Sequence, residues 1–180
     1  MTPPITINRA PVLTLWAAVV AERLGFEHDE ALTLGRAVAG LNAATKSQRL
    51  GLSRPSKSAK SGFHRGKKPA SDGMEHVELL GRSVPVVHTP TGLRAAKDGE
   101  ADSPAAVQRY LEAKFGESLA PAEKAMGALA KSFTPTELAA RAFDLYESFR
   151  PSIPAGVKGW GAKGALDLEK VAKLGKKRRA

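Results

Sequence analysis

Between residues 45 and 70 the chain carries eight cations and no acid, and this stretch limits what the sequence can fold into more than any other. Lys46, Arg49, Arg54, Lys57, Lys60, Arg65, Lys67 and Lys68 are separated mainly by serine, glycine and proline. Apolar residues do not recur there at a helical or strand period, so the segment has little to bury and repels itself. It reads as a loop or disordered arm that divides the chain. Residues 1–44 then form an N-terminal helical hairpin, 45–70 a basic arm or linker, 71–174 a unit of one hairpin plus helices, and 175–180 a basic tail.

The first segment is apolar enough to need cover. Asn8 stands where it can cap a helix beginning near Arg9 or Ala10, with Pro11 in the first turn, where a missing donor costs nothing. Leu13, Trp16, Ala17, Val20 and Leu24 recur at helical spacing, Val12, Leu15 and Val19 widen the stripe, and Gly25 supplies a stop. A second helix follows, capped by His28 or Asp29. Its face is Leu34, Val38 and Leu41, and Gly35 and Ala39 allow a close helix approach. It is expected to fade through Asn42 to Arg49 and to stop by Gly51. Such a hairpin is too small to be stable alone, so it packs on residues 71–174 or on a second copy.

Beyond the arm, residues 75–80 and 83–88 carry the one good strand signal. They flank Gly81 and Arg82, which suit the centre of a tight turn with glycine first. Pro85 removes a ladder donor, which predicts an edge strand or a bulge. With a three-residue turn His76 and His88 would face each other; with two residues they separate. Ser103 and Pro104 then open a helix bearing Val107, Tyr110 and Leu111, and Gly116 ends it. A helix near Ser118 carries Met126, Leu129 and Phe133. Thr134, Pro135, Thr136 and Glu137 make a capping box for a helix with Leu138, Ala142, Leu145 and Phe149. A Gly/Pro-rich loop over 151–164 surrounds Trp160, residues 166–174 form a last helix, and Lys176, Lys177, Arg178 and Arg179 make the tail. The fold class is mainly α: a helical domain with one small β-hairpin and a basic flexible arm.

Charge directs the functional expectation. Lys and Arg number 28 against 18 acids, for a net +10 and a pI near 10.0. An excess of this size points to an anionic partner, nucleic acid first, with DNA slightly ahead of RNA. Each phosphate neutralised by the arm or the tail would release condensed counterions and make affinity fall with salt. The plain alternatives are a solvated linker and a frayed end. In the loop over 156–164, Lys158 and Lys163 add charge and Trp160 offers a face for base stacking, although a tryptophan anchoring a glycine-rich turn is the commoner arrangement. A helix-turn-helix reading of the first two helices fails on Glu30, Ala31, Leu32 and Thr33, which suit neither phosphate nor guanine.

Other classes have less behind them. Absence of cysteine excludes disulfides and thiolate metal sites, and nothing signals secretion. The opening residues lack a signal-peptide pattern, and the apolar run over 12–21 is short of the about 20 residues a bilayer span needs. A soluble, cytoplasmic protein without membrane contact is the expectation. No nucleophile–base pair, cofactor fingerprint or metal-ligand spacing stands out, so the chain is expected to be non-enzymatic and without cofactor. An enzyme acting on a phosphorylated ligand through the Trp160 loop is a minority reading. The main alternative is an assembly subunit, a homo-oligomer among its forms, in which Trp16 and Val20 of the apolar N-terminal helices form the interface and the arm docks an acidic partner.

Overall fold

The computed structural model describes residues 5–49, 75–97, 100–151 and 163–179; the side chains of 43–49, 97, 163 and 176–179 lie outside that description. Helix α1 (Arg9–Arg23) is the axis of the fold. Its apolar residues are distributed around the whole circumference, so burial on one side would leave half of them wet. Residues from Pro11 to Ala18, together with Val20 and Ala21, are all buried. The two polar groups taken inside are satisfied: Thr14 Oγ1 donates to Ala10 O at 2.9 Å, and Trp16 Nε1 donates to Ala142 O at 2.8 Å. Asn8 has the extended conformation of a cap, but its side chain makes no capping hydrogen bond.

Helix α2 (His28–Arg49) runs back along α1. Gly35 makes the close crossing possible. A Cβ there would collide with the Thr14 carbonyl oxygen and lie 2.9 Å from the Ala18 nitrogen. The cap differs from expectation, because the helix begins at His28 and the Glu30 carboxylate reaches back to accept the Glu27 N–H at 2.9 Å. Helical backbone persists through 42–49, the stretch over which the helix is expected to fade. Ala, Gln, Lys and Arg are good helix formers and carry it to Arg49, so Lys46 and Arg49 stand on helical backbone.

Strands β2 (Glu75–Leu79), β3 (Arg82–Thr89), β4 (Gly92–Lys97) and β5 (Glu100–Ala101) form an antiparallel meander in sequence order. The expected single hairpin is its first half, with the turn one residue earlier. Leu79 pairs with Arg82, and the central residues are Leu80 and Gly81, both at positive φ (50° and 76°). A leucine in the left-handed region is strained by roughly 1–2 kcal/mol. It is held there because Leu80 is buried at the tip, beside Val20, Leu24 and Ala139. Pro85 is not at the sheet edge: it lies in the inner strand, opposite His76. The β3–β4 ladder ends at the Val86–Ala95 pair, and the next step inward would require the N–H that Pro85 lacks.

The β4 sequence, Gly92 to Lys97, has weak strand propensity, and contacts with α2 hold it in place. Thr33 Oγ1 accepts the Ala95 N–H at 3.0 Å, and Glu30 accepts the Leu93 N–H at 2.9 Å. A second sheet, also not anticipated, pairs β1 (Ile5–Asn8) with β6 (Lys163–Leu166). It buries Ile7 and Leu166 and ties the start of the chain to its last helix.

Among the described residues four further helices follow: α3 (Pro104–Phe115), α4 (Leu119–Lys131), α5 (Pro135–Phe149) and α6 (Leu168–Arg179). Ser103 Oγ caps α3 by accepting the Ala106 N–H, and the capping box of α5 is complete, with Thr134 and Glu137 exchanging hydrogen bonds. One hydrophobic cluster joins α1 and α2 to the meander and to α3–α6. The apolar N-terminal hairpin is therefore covered within the chain. Trp16 and Val20, named above for a subunit interface, are both fully buried in that cluster. The architecture is mostly helical with small antiparallel sheets. No helix among the described residues is long and apolar enough to cross a membrane.

Candidate nucleic-acid interface

The expected site residues fall into three groups. Arg54, Lys57, Lys60, Arg65, Lys67 and Lys68, with the part of the expected arm beyond Arg49, lie outside the described residues, as do Lys158 and Trp160 of the glycine-rich loop. Lys46 and Arg49 occupy the last turns of α2, and Lys163 pairs with Asn8 at the start of β6. Lys176, Lys177, Arg178 and Arg179 are not a detached tail, because helical backbone continues to Arg179. Cations at a helix C-terminus offset the negative end of the helix dipole, which favours this continuation.

Helix α6 is two-sided for a simple reason of spacing. Leu168, Val171 and Gly175 recur every three to four residues and are buried, with Leu174 half-buried beside them. Asp167 starts the helix by accepting the Glu169 N–H at 2.9 Å. Gly175 rests in ordinary contact on Leu129 and Ser132 at the end of α4, the nearest atoms lying 3.6 Å from where its Cβ would be. The opposite side exposes Lys170 and Lys173, and Lys177 occupies the next position in that row. The sequence reading did not assign Lys170 and Lys173. Their spacing was legible, but they were absorbed into the apolar pattern that defined the helix.

With α6 defined, the charge distribution sharpens. The helix has six cations and one acid, a net of +5, half of the chain's +10. Adding the eight unopposed cations over 45–70 accounts for +13. Every other residue together, 14 cations against 17 acids, sums to −3. Several arginines of that remaining body serve the fold. Arg9 Nε donates to Pro151 O (2.9 Å), Arg23 to Phe133 O (2.9 Å) and Arg82 to the Asn42 side chain (2.8 Å). Arg36 stacks over the Tyr110 ring at 4.4 Å. Arg94, 5% exposed, donates to Leu93 O (2.7 Å) and Thr91 Oγ1 (3.1 Å).

The N-terminal root of the 45–70 segment lies away from α6. From the Gly35 crossing, α2 runs toward the N-terminal end of α1, with Arg49 at its far end. The end of α6 lies instead near Ser132, next to Phe133, whose carbonyl holds Arg23 at the C-terminal end of α1. A helical rise of 1.5 Å per residue puts Arg49 and Arg23 about 30 Å apart along that axis.

Electrostatic perturbations elsewhere follow from packing. Burial pushes the Tyr146 phenol up to about 12, against the pull of Arg150 and Arg9 nearby. Burial also lowers Arg9, with Arg150 beside it, and raises Glu123. Glu30 is held below the usual carboxylate range mainly by the Glu27 and Leu93 N–H groups it accepts. None of these groups forms a nucleophile–base pair. The hairpin turn has two residues, so His76 lies opposite Pro85, and His88 contacts Glu75 at 3.0 Å. Among the described residues no three His, Asp or Glu side chains converge as metal ligands. The early part of α2, the recognition segment of a helix-turn-helix, is covered by β4 through Glu30 and Thr33. An apolar pocket of about 240 Å³ beneath the Leu80 turn is lined by Val20, Leu24, Leu79, Leu80 and Ala139, with Glu78 its one charged neighbour.

No family model, no curated protein and no solved structure matches this chain.

Proposed function

We propose that this chain is a non-enzymatic nucleic-acid-binding protein that contacts chiefly the phosphate backbone, through the segment over 45–70 and the cations of α6. The observation that carries this reading is the charge segregation: two segments hold +13, while the rest of the chain is net negative. A protein charged only for solubility spreads its cations among its acids, whereas one built for a polyanion concentrates them. Lys158, Trp160 and Lys163 would add a phosphate and base-stacking contact. Duplex DNA is placed slightly ahead of RNA, and the cytoplasm is the compartment this reading implies. Assembly into a homo-oligomer would need a surface other than Trp16 and Val20, which are already enclosed.

The test is binding to labelled duplex DNA, single-stranded DNA and RNA across a salt series, with a deletion of residues 53–68 alongside. Affinity that falls steeply with salt and collapses on deletion is expected. Absence of binding to all three polymers at low salt sinks the proposal.

A further inference from the structure

Resting on the nucleic-acid reading above, we infer that the outer face of α6 is a rigid phosphate-binding rail formed by Lys170, Lys173 and Lys177. This is distinct from a flexible basic end. Three observations carry it. Lys170 and Lys173 are exposed on a helix whose other side, Leu168, Val171 and Gly175, is seated in the core, so their backbone positions are fixed by packing. The positions 170, 173 and 177 share one helical face and span about 10.5 Å of helix axis, which is about three base-pair steps of a duplex at 3.4 Å each. The helix carries six cations against one acid, Glu169 in its first turn.

Geometry also selects the partner. A helix that lies on a membrane needs a free apolar face opposite its lysines, to bury among acyl chains. In α6 that face is occupied by the protein's own core, with Gly175 against Leu129 and Ser132. What remains outward is a row of charges without an apolar floor, which fits the backbone of a nucleic-acid duplex. Because the helix backbone is held in place, less backbone freedom is lost on binding than with a flexible tail.

The experiment compares the full chain with the triple variant Lys170→Ala, Lys173→Ala, Lys177→Ala, using fluorescence polarisation on a duplex of about 20 bp across a salt series. A second triple variant, Arg109→Ala, Lys114→Ala, Lys124→Ala, removes the same charge from exposed positions of α3 and α4. The rail variant is expected to bind on the order of tenfold more weakly and to flatten the log–log salt slope by roughly 2–3, while the matched variant changes far less. Equal losses in both variants would mean net charge alone acts and would overturn the rail. So would an unchanged slope in the rail variant while deletion of 53–68 abolishes binding, an outcome that leaves the broader function standing. Binding of the unmodified chain to phosphatidylserine vesicles but to no nucleic acid overturns both.

Discussion

Helices α1 and α6 both carry apolar residues at helical spacing, yet they answer opposite demands. In α1 the apolar positions surround the axis, and the helix disappears into the core with Trp16, Val12 and Val20 fully enclosed. In α6 the apolar positions form one stripe, and lysine and arginine take most of the other positions, beside Glu169 and Ala172. The first helix is all cohesion. The second turns Lys170 and Lys173 outward, away from its buried stripe. Stability and binding should therefore separate cleanly between the two.

The largest expected effect tests the sealed end of that contrast. Gly35→Ala places a methyl group against the backbone of α1, at the Thr14 oxygen and the Ala18 nitrogen, neither of which can move without shifting the helix. A loss of about 2–3 kcal/mol is expected in denaturant titration. A loss below about 0.5 kcal/mol would show that the α1–α2 crossing is looser than described.

An intermediate effect depends on pH. Tyr146 lies against the start of α1, its hydroxyl 3.5 Å from Arg9 O, with its folded pKa raised to about 12. A raised folded value contributes stability that is intact below the unfolded value near 10 and is lost as pH rises toward 12. Thermal midpoints should thus fall over that window, by up to about 2–3 kcal/mol in stability, and Tyr146→Phe should flatten that part of the fall. An identical alkaline profile in the variant would assign the transition to other groups.

The smallest effect sharpens the other side. Replacing Lys170 and Lys173 with alanine should change stability by no more than about 0.5 kcal/mol, because both side chains point to solvent. A larger loss, read from the same denaturant curves, would mean that the charged face of α6 serves the fold as well.

Legibility in the sequence followed how local each determinant is. The capping box at Thr134 and Glu137, the Ser103 cap and the apolar row of α5 depend on residues within one or two turns, and each was readable. The β1–β6 pair was not, because Ile5 and Leu166 are joined only through the tertiary fold and neither strand has a period long enough to register. The turn at Leu80 and Gly81 was misplaced by one residue for a similar reason. Turn chemistry favours glycine first, but burial of Leu80 against α1 and α5 outweighs its backbone strain. In the candidate interface, the cations of α6 were visible as letters, while the row made by Lys170, Lys173 and Lys177 emerges only once Val171 and Gly175 fix which side faces inward.

By itself, the sequence determined the helical majority, the caps at Ser103 and at Thr134 with Glu137, and the concentration of charge in two segments, since each is a property of neighbouring residues. Only the tertiary structure decided that α1 is central rather than an interface, that β4 is a strand, and that Arg49 at the end of α2 lies far along α1 from the Ser132 corner where α6 is seated. Those outcomes depend on which surfaces meet across long sequence separations, as Gly35 meets Thr14 and Trp16 meets Ala142, and no local pattern encodes such meetings.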